Sequence, residues 1–168
     1  MDDEAELKRK ECPMMDLNRR HFIAGAIMGM TMLTAGVAIA AGPMTIYKDP
    51  QCGCCEQWAE AMEAAGFKVD IRDEADMTPI KTRFGVPADL EGCHTAVIDG
   101  YVVEGHVPLE AVQKLVTEKP DIAGIAVPGM PAGSLGMGND PQASYDVYTI
   151  AKTSGAAATV YYKVRPAQ

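Results

Sequence analysis

Three of the chain's five cysteines crowd into Gln51-Cys52-Gly53-Cys54-Cys55-Glu56-Gln57-Trp58. Thiolates are soft ligands that suit Cu(I), zinc and iron–sulfur centres, whereas the methionine thioether suits Cu(I) but not zinc. Cys52 and Cys55 have the C-x-x-C spacing that binds one metal ion or closes a disulfide. Cys54 adds a C-x-C step, which lets neighbouring sulfurs bridge more than one ion. The ordinary use of cysteines in an exported chain is the structural disulfide. Staples normally join distant segments, however, and three cysteines in one turn staple little. The crowding therefore points to metal binding or thiol redox chemistry. In the redox case Cys52 is the attacking thiolate and Cys55 its resolving partner.

Other residues could contribute donors. Cys93 and His94 are adjacent in Gly92-Cys93-His94-Thr95, and in an extended segment their side chains point to opposite sides. His106 lies in Gly105-His106-Val107-Pro108, and Met130 and Met137 lie in a Gly/Pro-rich loop that offers them little to pack against. Trp58 and Met62 fall on the apolar face of a helix and are expected in the core, while Met44 and Met77 fit either role.

The elements that must position these groups can be taken in order. Met44 to Lys48 alternates between Gly42-Pro43 and Asp49-Pro50 and predicts a strand. The spacing of Trp58, Ala61, Met62 and Ala65 predicts a helix from Glu56 to Ala65, stopped by Gly66. A strand is predicted over Phe67 to Arg72 and a short helix from Thr78-Pro79 to Gly85-Val86-Pro87. Asp99-Gly100 between Thr95–Ile98 and Tyr101–Glu104 predicts a hairpin. Pro108, then Leu109, Val112, Leu115 and Val116, predict a further helix ending near Lys119-Pro120. From Ala126 to Gly138 the chain reads as one long loop, and Tyr145–Ala151 and Thr159–Val164 as a C-terminal hairpin. The order is that of an α/β, thioredoxin-like sandwich with a C-terminal β-hairpin extension. In that topology the cysteine turn follows the first strand, and the loop carrying Cys93 faces it.

The 168 residues suit one domain with appendages. Residues 1 to 41 are expected to be a targeting segment. Asn18-Arg19-Arg20-His21-Phe22-Ile23 is a twin-arginine pattern, an uncharged apolar run follows to Ala40, and Ala38-Ile39-Ala40 offers a cleavage site. The acidic stretch Asp2, Asp3, Glu4 and Glu6 ahead of the arginines is unusual for a secretory signal. The run is also at the short edge for a bilayer span, so cleaved export is favoured over a retained anchor. The expected divisions are thus a signal at 1–41, a metal-binding domain with its Gly/Pro/Met loop at 42–138, and the hairpin at 139–168. The expected location is the periplasm, with no stable membrane span after cleavage. A net charge of −8 without a basic patch argues against nucleic acid as a partner.

Cys52-Gly53-Cys54-Cys55-x-x-Trp58, Gly66-Phe67, Asp76-Met77, Gly85-Val86-Pro87, Cys93-His94-Thr95-Ala96, Gly105-His106-Val107-Pro108 and Ala126-Val127-Pro128-Gly129-Met130-Pro131 stand in an order that resembles the CopG-type periplasmic copper-resistance proteins. The resemblance spans about residues 44 to 138 and is specific because several uncommon strings agree in sequence. It implies a thioredoxin-like fold, copper held by Cys52, Cys54, Cys55 and Cys93, copper–sulfur redox activity, and other periplasmic copper-handling proteins as partners. His94, His106 and Met130 match the family strings without an assigned role. Ser134-Leu135-Gly136-Met137-Gly138 departs from the family's usual proline- and acid-containing ending. The expected function is copper resistance or copper redox cycling, with Cu(I) held as a cysteine-bridged multinuclear cluster. The alternatives are a thiol–disulfide oxidoreductase using Cys52 and Cys55, and a structural zinc or iron–sulfur site.

Overall fold

The computed structural model describes residues 41–166. The expected leader lies outside the described residues, apart from Ala41. No helix among the described residues is long and apolar enough to cross a membrane.

Seven strands form one sheet in the order β2-β1-β3-β4-β5-β6-β7. The chain enters at β1 (Met44–Lys48), where Met44 and Ile46 are fully buried on one face. Helix α1 (Gly53–Ala64) follows and buries Trp58, Ala59 and Met62. It ends in a glycine cap. Gly66, at φ +93°, donates its N–H to Glu63 O, and Phe67 donates to Met62 O. This two-bond closure satisfies the last carbonyls and folds Phe67 back onto the core. Strand β2 (Val69–Asp73) then pairs parallel to β1 through a crossover. Helix α2 (Thr78–Arg83) and a 3₁₀ turn at Ala88–Leu90 lead to β3 (Thr95–Ile98), antiparallel to β1. Asp99 and Gly100, both at positive φ, turn the chain into β4 (Tyr101–Glu104). Helix α3 (Leu109–Glu118) returns the chain to β5 (Gly124–Ala126), parallel to β4. The hairpin of β6 (Tyr145–Ile150) and β7 (Val160–Val164) extends the sheet from β5. The fold is therefore α/β and thioredoxin-like with a hairpin extension, as expected.

The larger core cluster joins α1 and α3 to one sheet face through Met44, Ile46, Ala96, Val103 and Ile125. A smaller cluster on alternate residues, with Val102, Ala126 and Ile150, joins the other face to Val86 and Leu90.

Three local expectations are corrected. Helix α1 starts at Gly53 instead of Glu56, because its first turn is built from the cysteines themselves. The second strand starts at Val69. Phe67 is used in the helix cap, and Ile71 is 37% exposed because β2 is an edge strand with little covering it. The stretch taken as a loop from Ala126 is preceded by the short strand β5, whose three residues are too few for a periodic signal.

Candidate metal centre

The first turn of α1 carries three sulfurs. Cys52 is the N-cap, and its carbonyl accepts the N–H of Glu56 at 3.2 Å, while its side chain makes no capping hydrogen bond. The first N–H groups of this turn have no partner within the helix. At the end of β1 the buried Lys48 ammonium reaches Glu56 at 3.0 Å and Asp73 at 3.2 Å, which ties the helix start to two strands. Cys52 and Cys55 form a disulfide, with Cys55 fully buried and Cys52 partly exposed. Cys54 is a free thiol 3.5 Å from Cys52 Sγ.

The fourth sulfur comes from the other side. Cys93, also free, stands 4.0 Å from Cys54 Sγ although 39 residues separate them. The sulfurs of Cys52, Cys54, Cys55 and Cys93 all lie within 4.8 Å of one another. Burial first, then the neighbouring Cys54, push the Cys93 thiol up to about 12, against the pull of the Lys81 ammonium. The thiol therefore holds its proton more tightly than usual, and a metal ligated here has to displace that proton.

The histidines lie deeper and are not members of the four-sulfur group. His94 is fully buried, its ring 4.5 Å from that of Trp58 and 5.1 Å from that of His106. Cys93, in a bend just before β3, is partly exposed, whereas its neighbour His94 is buried. Burial, with His106 and Lys81 nearby, pushes His94 down to about 3. His106 is lowered by burial as well, opposed by its contact with Leu135. Its Nδ1 lies 2.7 Å from Leu135 O, so Nδ1 carries the proton and Nε2 a free lone pair. Both ring nitrogens of His94 and Nε2 of His106 are buried with no hydrogen-bond partner. Buried polar side-chain atoms without a partner are uncommon in folded proteins.

The Gly/Pro-rich loop covers this corner. A Cβ on Gly136 would meet Cys54 O at 2.6 Å and His106 Nδ1 at 3.3 Å, so only glycine fits there. Ser134 is fully buried, and Met137, half-buried, donates its N–H to Ser134 O. Met130 is 57% exposed and follows Gly129, which bridges to Gly92 beside Cys93. The helix core takes Trp58 and Met62, and Met44 joins them, all fully buried.

Sequence reasoning missed three residues, Lys81, Glu104 and Thr95, which form a buried polar group behind Cys93. The available signal was a lone acid closing the apolar strand Tyr101–Glu104. Burial raises the Glu104 carboxyl, while Lys81, Thr95 and Gly92 oppose the shift.

Residues 90–137 match a family described as a protein of unknown function, DUF411. No curated relative matches the chain. The structure is similar to Form 1 of the copper resistance protein copG, with 43% identity and a TM-score of 0.67 over 76% of this chain and 99% of that one. Form 2 of the same protein gives 44% identity and a TM-score of 0.66 over 73% of this chain and 99% of that one.

Proposed function

The chain belongs to the family of the copper resistance protein copG, and on that premise we propose that it is a copper-handling protein that holds Cu(I) through Cys52, Cys54, Cys55 and Cys93. The observation that carries this reading is the convergence of four sulfurs within 4.8 Å from two separate loops. The donor set fits a soft monovalent cation, and the two C-x-C-type neighbours suit sulfurs that bridge several ions. Cys52 and Cys55 ligate only when their disulfide is reduced. The orphaned nitrogens of His94 and His106 support a supplementary ligand role, and the exposed thioether of Met130 supports one at the rim. Met137, in the covering loop, is the remaining candidate. Periplasmic work, reached through a twin-arginine signal, completes the proposal, with copper resistance as its purpose. Zinc is the alternative ion, less suited to a site offering thioethers.

A thiol–disulfide oxidoreductase is the competing function, favoured by the Cys52–Cys55 bond at the start of α1. Cys52 is the more exposed of the two, as an attacking thiolate must be, and the buried Cys55 is the resolving thiol. The two functions share chemistry. Closing the dithiol to the disulfide releases two electrons and two protons, which balances the reduction of two cupric ions to cuprous ions.

Anaerobic Cu(I) titration of the reduced protein, with metal counting, tests the proposal. Several coppers per chain, with fewer in Cys93→Ser, are expected. Absence of copper uptake together with a reversible Cys52–Cys55 disulfide would transfer the assignment to the oxidoreductase.

A further inference from the structure

Glu104 closes β4 on the sheet face opposite α1, and its side chain is fully buried. It pairs with Lys81 of α2, itself buried to 6% exposure. Desolvating two charges outweighs their attraction unless every remaining donor and acceptor is filled. Here they are filled by the segment that carries Cys93. Glu104 Oε1 accepts the Gly92 N–H at 2.8 Å as well as the Lys81 ammonium. Glu104 Oε2 accepts the Thr95 hydroxyl at 2.6 Å. Lys81 Nζ donates in turn to Gly92 O at 3.0 Å. Both polar groups of Gly92 are thus held by opposite ends of one ion pair, and Thr95 is held by the same carboxylate. The chain is gripped on each side of Cys93. The grip leaves little play, because a Cβ on Gly92 would stand 2.5 Å from Gly105 Cα. The other three cysteines sit at the start of α1, Cys52 as its N-cap, and share none of these contacts.

We propose that the buried Lys81–Glu104 ion pair is a positioning device for Cys93. It fixes the fourth sulfur at its distance from the three sulfurs of α1, and so sets how tightly the four-sulfur site holds a soft cation. The pair does this without touching the cation. The inference rests on the copper reading above and assigns to two charged residues a role in that site.

A double-mutant cycle tests it. Cu(I) affinity of the reduced full chain is measured by competition with a chromogenic Cu(I) chelator in the wild type, Lys81→Met, Cys93→Ser and the double variant. Lys81→Met is expected to weaken binding about tenfold in the wild type and less than about twofold when Cys93 is already serine, because residues that act through one another are not additive. Equal losses in both backgrounds, or no loss in the wild type, would overturn the inference. Circular dichroism checks the fold. If Lys81→Met does not fold, Thr95→Val carries the same cycle, with an expected loss of about threefold from one hydrogen bond. A metal-free readout accompanies it. Alkylation of Cys93 in the reduced apoprotein, followed by mass spectrometry, should change at least about threefold in the variant while that of Cys54 does not. A wild type that takes up no Cu(I), or whose affinity Cys93→Ser leaves intact, would sink the copper reading. The alkylation rates then decide the positioning role alone, and unchanged rates at Cys93 would reject it.

Discussion

Four sulfurs and two imidazoles occupy one corner of the molecule, and the chain treats them in opposite ways. Three of the sulfurs are partly exposed and within reach of one another, whereas both imidazoles are sealed from solvent with three of their four ring nitrogens unpartnered. The difference teaches an order of access. On the proposed copper reading, a soft ion arriving from solvent would meet the thiols first, with His94 packed against Trp58 and His106 against the Gly136 loop. The sulfur region is in part open to solvent and the imidazole region is enclosed.

The sharpest way to break this comparison is to close the sulfur region. With the Cys52–Cys55 disulfide intact, Cys54 and Cys93 are the only thiols among the described residues. Copper bound per chain should then fall by about half or more relative to the reduced protein, since ligating cysteines must be deprotonated thiols. Cys54→Ser in the disulfide form should abolish what remains. Metal counting on gel-filtered protein, with and without reductant, reads both. Equal copper content in the two states would mean that Cys52 and Cys55 contribute no ligands, and retention of copper in Cys54→Ser as well would move the entry from the sulfurs to the histidines and methionines.

The next effect belongs to the imidazoles. His94 is held near 3 in the fold, below its ordinary value of 6.5, first by burial and then by His106 and Lys81. Its folded form therefore binds a proton less readily than its unfolded form. The stability it contributes is complete above about pH 6.5 and is lost as pH falls toward about 3, at about 1.4 kcal/mol for each pH unit. His106, also lowered by burial, acts in the same direction. Urea unfolding of the metal-free protein between pH 7 and pH 4 should show this loss, and His94→Phe should flatten its share. Parallel curves for the two proteins would show that the sealed imidazole does not titrate with unfolding.

The sulfur region was legible in the sequence because its signal is local. Cys52, Cys54 and Cys55 lie within one helical turn, and the Asp99-Gly100 hairpin and glycine-capped helix that frame them are also short-range patterns. Topology alone brought Cys93 to the group, since the strand order puts its loop opposite the start of α1. The polar group behind Cys93 was not legible. Lys81 and Glu104 are 23 residues apart and look like surface charges until strand alternation and the packing of α2 put both indoors. The burial of His106 was hidden for a related reason, because the ring packs against a loop, residues 133–138, whose path no periodicity reveals.

That loop joins the two regions, and it offers the finest test of their difference. Gly136 sits at φ +86°, and any side chain there would press on Cys54 O and on His106 Nδ1 together. Gly136→Ala should destabilise the protein by about 1–3 kcal/mol through backbone strain and the displaced loop. It should also admit solvent to the imidazoles, so that amide hydrogen exchange at His106 and Leu135 rises. If the sulfurs are an open site that needs no cover, Cu(I) affinity of the reduced variant will match the wild type. A loss of affinity beyond the loss of stability would instead make the loop part of the sulfur site. The contact with Cys54 O would then matter more than the contact with His106, and the boundary between the two regions would move to the far side of Gly136.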